Sequence, residues 1–314
     1  MYDPRHLKEL PSLFNPSNDM ALAANVQEYS PPKRIQQMEK DLCSLADYWE
    51  GGPWGWSRQT KHRYERMGIP DTSLPCDEWL EEVRRLSSRE FAAGYLEQML
   101  REINDNHLLG NEMKFHTQLS DIPSEGDRIF KSLWSSSGRG IFTAKGLSKP
   151  HLHERLQRLI DAHGGYVSDR FYTSKTLDFA MEFFVHGVDN VEFLGYSIFH
   201  ADPNGTYQYN HIASQQTLRN MIPLPTSLLN TLTEYHLHNL GKTAYRGYAG
   251  IDMLLTEEGM VHPVVEINFR MNMGILAMQL YDKYGDNATV QLTPRREHGF
   301  EAKIDNGRLM ILYR

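Results

Sequence analysis

The feature that most constrains the fold of this 314-residue chain is an alternating segment near its C-terminal end, Pro263-Val-Val-Glu-Ile-Asn-Phe-Arg270. Glu266, Asn268 and Arg270 alternate with apolar residues, so a β-strand would place all three polar side chains on one face. A carboxylate, a carboxamide and a guanidinium in a row suit a divalent cation and a polyphosphate. A solvated strand face with a Glu266–Arg270 salt bridge explains the same pattern. A phosphate-binding element elsewhere in the chain would favour the cation site.

The alternating segment is expected to form the second strand of a hairpin. Ile251 to Leu255 and Met260 to Phe269 are separated by Glu257-Glu258-Gly259, a three-residue loop with glycine in the left-handed position. In that register Thr256 faces Met260. The apolar face of the hairpin would carry Ile251, Met253, Leu255, Val265, Ile267 and Phe269.

The same register predicts a second carboxylate on the polar face. Asp252 would stand opposite Val264 and would be a diagonal neighbour of Glu266, ~7–8 Å away. Two carboxylates at that spacing can hold one cation between them. Oxygen ligands without His or Cys favour Mg²⁺. Arg270 could then bind a phosphate through its planar fork.

A small-residue loop supplies a candidate phosphate partner in Lys131-Ser-Leu-Trp-Ser-Ser-Ser-Gly-Arg-Gly140. It is not a Walker A loop, because G-x-x-x-x-G-K-[ST] is absent and a strand pattern follows it. Small residues let backbone N–H groups approach phosphate oxygens, hydroxyls donate, and Lys131 adds a positive charge. An ordinary hairpin turn is the alternative interpretation. The candidate loop residues are Ser135, Ser136, Ser137, Gly138, Arg139 and Gly140.

Composition excludes several classes of protein. Hydrophobic residues at 40% and charged residues at 23% are typical of a globular protein. A net charge of −7 argues against nucleic acid as the main partner. The two cysteines, Cys43 and Cys76, are too few for a disulfide framework or a zinc site. Neither an apolar signal segment nor a membrane-spanning run is visible, so we expect a cytoplasmic protein without a membrane partner.

The pattern along the chain predicts an α+β fold. Helical patterns cover Lys33 to Trp49 and Asp77 to about Asn104, the latter hinged near Ser87-Ser88. Later helices are expected over Pro150 to Ala162 and Pro225 to Leu240. Strand patterns cover Ile129 to Trp134, Gly140 to Thr143, Gly165 to Phe171, Leu177 to Val185 and Glu192 to His200. The βαβ alternation of a Rossmann sheet is lacking after residue 128.

Taken together, the lysine-bearing loop and the Glu-x-Asn-x-Arg strand resemble the ATP-grasp superfamily of carboxylate–amine and carboxylate–thiol ligases, over about Asn111 to Asn272. The resemblance implies two α+β lobes with the nucleotide between them, preceded by a mainly helical region. It divides the chain into an N-terminal region at 1–110 that contributes to the substrate site, a small lobe with the phosphate loop at 111–171, and a large lobe with the metal site at 172–314.

The resemblance also implies roles for single residues. The metal ligands would be Asp252, Glu266 and Asn268, and the catalytic cations would be Lys131 and Arg270. Lys131 would contact phosphates near the adenine, beneath a lid formed by Ser135 to Gly140. The hinge Tyr166-Val167-Ser-Asp169-Arg-Phe171 would bind adenine, and Asp178 the ribose. Lys114 would be an earlier lysine of the family.

The implied reaction uses ATP with Mg²⁺, or Mn²⁺ in its place. A substrate carboxylate attacks the γ-phosphate, which releases ADP and gives an acyl phosphate. An amine, or less often a thiol or hydroxyl, then displaces phosphate from it. The implied partners are small-molecule carboxylates and amines. Two alternatives stay open: modification of a protein or peptide carboxylate, and a nucleotide-binding regulator without catalysis. The identity of the substrates and the oligomeric state are not predicted.

An aromatic cluster, an N-terminal turn and a group of polar residues each have more than one interpretation. The aromatic cluster Trp49, Trp54 and Trp56 forms either a substrate platform or, as we expect, packing beneath a long loop. The turn Asn15-Pro-Ser-Asn-Asp19 either contacts the acceptor or caps a helix. Gln215, Gln216 and Arg219 are expected near the substrate. Metal binding is not expected at His236-Leu-His238, because residues i and i+2 point apart on a helix.

Overall fold

The computed structural model describes residues 53–66, 68–119, 127–134, 140–202, 205, 207–286, 288–292, 301–305 and 309–313. Its helices are α1 (Arg58–Arg66), α2 (Asp77–Leu86), α3 (Arg89–Glu102), α4 (Lys149–His163), α5 (Gln215–Asn220), α6 (Thr226–Gly241) and α7 (Met273–Tyr284). Its strands are β1 (Lys114–His116), β2 (Arg128–Ser132), β3 (Ile141–Thr143), β4 (Tyr166–Arg170), β5 (Lys175–Gly187), β6 (Asn190–Ala201), β7 (Tyr207–Ile212), β8 (Gly247–Thr256), β9 (Val261–Asn268), β10 (Ala288–Leu292), β11 (Glu301–Asp305) and β12 (Leu309–Tyr313).

The strands form two antiparallel sheets, which confirms the α+β prediction. The smaller sheet has the order β1-β4-β2-β3, and the larger sheet has the order β11-β12-β10-β7-β6-β5-β8-β9. Helix α4 packs on the smaller sheet, and α3 packs on β9 of the larger one. Among the described helices, none is long and apolar enough to cross a bilayer.

The two faces of the larger sheet differ in chemistry, as its central strand β5 shows. Phe179, Met181 and Phe183 lie on one face and are fully buried in the main hydrophobic core with residues of β8, α3 and α6. Alternation places Asp178, Ala180 and Glu182 on the opposite face. That second face carries the polar side chains considered below, and α7 covers one end of it.

Most predicted elements lie within a few residues of their expected positions. The helical segment after Asp77 breaks into α2 and α3 as predicted, and the Ser88 hydroxyl accepts a hydrogen bond from the Phe91 N–H at 3.1 Å. Gly140 adopts a left-handed φ of 70° where β2 turns into β3. Helices α1, α5 and α7 and strands β1, β7, β10, β11 and β12 were not predicted. The helix predicted from Lys33 and the turn at Asn15 lie outside the described residues.

The register of the β8–β9 hairpin differs from the prediction near its far end. Thr256 does face Met260, with an N–H to O distance of 2.9 Å. However, Asp252 pairs directly with Glu266 instead of Val264, because β9 advances four residues from His262 to Glu266 while β8 advances two, from Leu254 to Asp252.

An irregularity at Pro263 explains this shift. Proline lacks the N–H that a regular ladder requires, so strands tolerate it at bulges. The prediction of Val265 as a core residue was also wrong: Val264 is completely buried, whereas Val265 is partly exposed. Since the shift is an even number of residues, the carboxylates stay on one face.

Candidate active site

Asp252 and Glu266 stand directly opposite each other on neighbouring strands, closer than the predicted diagonal. Both are partly exposed. The next pair along the same face is Gly250 and Asn268. The sheet therefore brings together the three residues that the resemblance assigns to the metal.

A line of hydrogen bonds connects this group to Arg270. Asn268 Nδ2 donates to Asp252 Oδ2 at 3.0 Å, and Arg270 Nη2 donates to Asn268 Oδ1 at 2.7 Å. Arg270 also donates to the carbonyl of Met271 at 3.2 Å. The guanidinium is thus held beside the two carboxylates without contacting either of them directly.

Negative charge is concentrated at this point of the sheet. Burial raises the pKa of Asp252 well above its usual value, and the nearby Glu266 and Glu182 carboxylates raise it further, while Arg270 opposes them. A bound cation would relieve this repulsion. The oxygen-only donor set fits Mg²⁺, which commonly takes one or two carboxylates together with substrate phosphates. In the described residues, no group of three or more His, Cys, Asp or Glu side chains has metal-binding geometry.

A third carboxylate, Glu182, was missed from the sequence. It lies on β5 beside this face and is only 1% exposed. Its Oε1 accepts from Ser197 Oγ at 2.7 Å, and its Oε2 accepts from Asn272 Nδ2 at 2.7 Å. Burial raises its pKa to about 7, against the opposing effect of both hydrogen bonds and of Arg270.

Glycines on neighbouring elements make room for the Glu182 carboxyl. A Cβ on Gly250 would lie 2.5 Å from Glu182 Oε2, and a Cβ on Gly274 would lie 2.3 Å from Oε1. Any side chain at either glycine would therefore displace the carboxyl. Asn272 connects the Glu182 carboxyl to α7, because the Asn272 Oδ1 accepts a hydrogen bond from the Ile275 N–H at 3.0 Å and caps the helix.

Lys131 and Asp169 form a buried ion pair on the smaller sheet. Lys131 Nζ lies 3.0 Å from Asp169 Oδ2, and His262 Nε2 of β9 lies 3.5 Å from the same oxygen. Burial alone would raise the pKa of Asp169, but Lys131 and His262 outweigh it and lower that pKa. Val167 pairs with Lys131 across β2 and β4 and is fully buried. The contact with His262 joins the two sheets at the predicted hinge.

Asp178 lies on the face of β5 that carries Glu182. It accepts a hydrogen bond from Lys175 Nζ at 2.6 Å, and burial raises its pKa against the opposing effect of that lysine. Of the candidate loop residues from Ser135 to Gly140, only Gly140 is described, and its carbonyl accepts from the Ser132 N–H at 2.9 Å. The five residues from Ser135 to Arg139 lie outside the described part and stay predictions.

The remaining sequence candidates have local partners. Gln215 is hydrogen-bonded to the backbone N–H and carbonyl of Tyr196, Gln216 binds Asn220 of its own helix at 2.9 Å, and Arg219 binds the Ile222 carbonyl at 2.9 Å. The side chains of all three residues thus form hydrogen bonds within the protein.

Lys114 is exposed at the edge strand β1. Trp54 packs against the apolar cluster around α7, as expected for a packing residue, and its carbonyl accepts from the Met271 N–H at 2.8 Å. Trp49 lies outside the described residues. His236 is buried, and its Nδ1 lies 3.0 Å from the Tyr95 hydroxyl oxygen, with which it forms a hydrogen bond typical of a core histidine.

Comparison with known proteins shows similarity at the level of structure. No family model and no curated protein matches the sequence. The structure resembles the biotin carboxylase domain of Hydrogenobacter thermophilus 2-oxoglutarate carboxylase in complex with MgADP and bicarbonate, with 10% identity, a TM-score of 0.53, and coverage of 91% of this chain and 75% of that one.

Two further solved structures match. Rhizobium etli pyruvate carboxylase matches with 13% identity and a TM-score of 0.52, over 82% of this chain and 22% of that one. Campylobacter jejuni biotin carboxylase matches with 12% identity and a TM-score of 0.47, over 69% of this chain and 53% of that one, so this chain spans about half the length of that enzyme. The fold is that of ATP-grasp enzymes, as the sequence predicted.

Proposed function

We propose that this protein is an ATP- and Mg²⁺-dependent ligase that activates a substrate carboxylate as an acyl phosphate for attack by an amine or a thiol. The observation that carries the proposal is the row on β8 and β9, in which Asp252 faces Glu266 and Asn268 joins Asp252 to Arg270. Two paired carboxylates, an amide and a guanidinium match the needs of a polyphosphate held by a divalent cation. The ATP-grasp fold supports the same conclusion independently of these side chains.

Each residue of the row has a separate role that follows from its position. Asp252, Glu266 and Asn268 would hold Mg²⁺, which neutralises phosphate charge during phosphoryl transfer. Asn268 Oδ1 is now bound to Arg270. If Asn268 Oδ1 bound the cation in place of this contact, the Arg270 guanidinium would be available to the substrate. Its planar fork would then bind the acyl phosphate and stabilise the charge that develops there.

The nucleotide base would lie at the other end of the site. The hinge strand β4, with Val167 and Asp169, would bind adenine, while Lys131 would bind phosphate oxygens and Asp178 the ribose. The buried Lys131–Asp169 pair supports this arrangement, because it fixes the ammonium beside the hinge. Under this proposal, 1–110 contributes to the acceptor site, 111–171 forms the small lobe and 172–314 forms the large lobe.

The test is ADP release by the purified chain with ATP, Mg²⁺ and a panel of carboxylates combined with amines or thiols. We expect ADP only when a suitable carboxylate is present. Arg270→Lys should reduce turnover about 100-fold, since an ammonium cannot replace the bidentate contact. Arg246→Lys is the matched control, because Arg246 is exposed and binds only a backbone carbonyl in the described contacts. ATP binding without ADP release for any small-molecule or peptide carboxylate would contradict the proposal.

A further inference from the structure

Arg89 is an arginine at an unfavourable place in its own helix. It is the first residue of α3, where a positive charge is unfavourable because the helix dipole places partial positive charge at the N-terminus. Yet its side chain is only 3% exposed. An arginine is rarely buried unless it is paired. Its position is therefore explained by its partners and not by the stability of α3.

Those partners belong to both sheets. Arg89 Nη2 donates to Glu266 Oε2 on β9 at 2.9 Å, and Nη1 donates to the Ser132 carbonyl at the end of β2 at 2.7 Å. The backbone N–H of Arg89 donates to the next carbonyl, that of Leu133, at 3.0 Å. Strand β2 also carries Lys131, one residue before Ser132. One guanidinium thus connects the strand of the nucleotide lysine to a candidate metal ligand.

The contact also orients the Glu266 carboxylate. Arg89 donates to Oε2, and Oε1, to which Arg89 does not donate in this contact, would be available to a cation. The Glu266 side chain is 26% exposed, whereas Arg89 is closed off from solvent. A partner behind a metal ligand orients it and tunes its affinity, and loss of such a partner typically weakens metal binding ~10–100-fold.

We propose that Arg89 is a positioning residue that couples the metal ligand Glu266 to strand β2, which makes helix α3 a working part of the nucleotide site. The inference rests on the proposed function, because it presumes that Glu266 binds the cation. It adds a residue from the region before the lobes whose role is to make Mg²⁺ binding depend on the position of the Lys131 strand.

The test is the Mg²⁺ dependence of ATP binding, measured by calorimetry well below the melting temperature. Arg89→Lys keeps the charge, but one ammonium cannot bind both Glu266 and the Ser132 carbonyl in the same fork geometry. We expect the Mg²⁺ concentration for half-maximal enhancement of ATP binding to rise ~10-fold or more, while ATP affinity in EDTA changes less than about twofold. A residue that only stabilises the fold would alter both affinities together.

The control is Arg84→Lys. Arg84 lies on α2, and its guanidinium stands 4.0 Å from the Trp134 ring centroid, close to β2 but away from the metal ligands. It should leave the Mg²⁺ midpoint unchanged. In a Glu266→Gln background, adding Arg89→Lys should produce little further shift, because the shared partner is already altered.

Arg89→Gln serves as a second variant if Arg89→Lys does not fold, and the same Mg²⁺ shift is expected. A wild-type Mg²⁺ midpoint in either folded variant would overturn the coupling while leaving the proposed function intact. Absence of ATP binding by the wild-type protein, with and without Mg²⁺, would overturn both.

Discussion

Replacing Glu182 by glutamine should make the protein more stable at neutral and basic pH. The side chain is buried on β5 with a pKa of about 7, whereas an unfolded glutamate titrates near 4.3. Between these two values the unfolded chain loses its proton while the folded protein keeps it, so stability falls as pH rises. Above pH 7 the folded protein carries the charged form at a free-energy cost of about 4 kcal/mol.

Glutamine has the shape of the protonated carboxyl and never acquires the charge. Its amide can donate to the Ser197 hydroxyl and accept from Asn272, so both present partners are kept. The Glu182→Gln variant should therefore gain stability over the wild type by about 1 kcal/mol at pH 5 and about 4 kcal/mol at pH 8.5. Below pH 4 the difference should vanish.

Urea unfolding at several pH values measures this difference directly. Asp252, whose pKa Glu182 raises, should titrate slightly lower in the variant, so the gap between the two curves reports residue 182 together with its coupling to Asp252. Glu192→Gln on the neighbouring strand β6 is the control, since the Glu192 side chain is 57% exposed; its gap should stay small. If the free energy of unfolding changed with pH in the same way for the wild type and for Glu182→Gln, the claim that Glu182 stays protonated in the folded protein would be refuted.

Two further changes test the packing around the site and in the core. Gly250→Ala should destabilise the fold by about 1–3 kcal/mol, because the new Cβ would lie 2.3 Å from Asn272 Nδ2. The control is Gly94→Ala on open helix surface, which should stabilise the fold by about 0.5–1 kcal/mol. A higher melting temperature for Gly250→Ala than for Gly94→Ala would contradict the geometry. His236, whose pKa burial lowers to about 3, should bind a proton only in the unfolded chain as pH falls through 6.5. The free energy of unfolding of the wild type should therefore fall by about 2 kcal/mol between pH 7 and pH 5 because of this group, and His236→Gln should lack that loss. An equal fall in both proteins, measured by urea unfolding, would refute the buried, neutral state of His236.

The alternating strand could be predicted because its signal is local. Glu266, Asn268 and Arg270 lie two residues apart, and a pleated strand puts such residues on one face wherever it packs. Asp252 could be placed on the same face through a short hairpin loop. Its exact partner could not, because the shift at Pro263 depends on how β9 passes a residue without an N–H.

Glu182 and Arg89 were missed because their surroundings come from distant parts of the chain. In the sequence, Glu182 is one polar residue within an apolar strand, and a lone charge in such a run is the signal that could have flagged it. The glycines that accommodate it, Gly250 and Gly274, become neighbours only after β8 and α7 pack against β5. Arg89 meets Glu266 across 177 residues of sequence, so no local pattern could pair them.

The central claim is that the face of β8 and β9 binds ATP through Mg²⁺. A calorimetric titration of ATP into the wild type and into Asp252→Asn, each with Mg²⁺ and with EDTA, tests it most directly. We expect Mg²⁺ to strengthen ATP binding to the wild type and to have little effect on Asp252→Asn, whose fold should be retained because asparagine has the same shape. Equal enhancement by Mg²⁺ in both proteins, or no ATP binding by the wild type, would contradict the account.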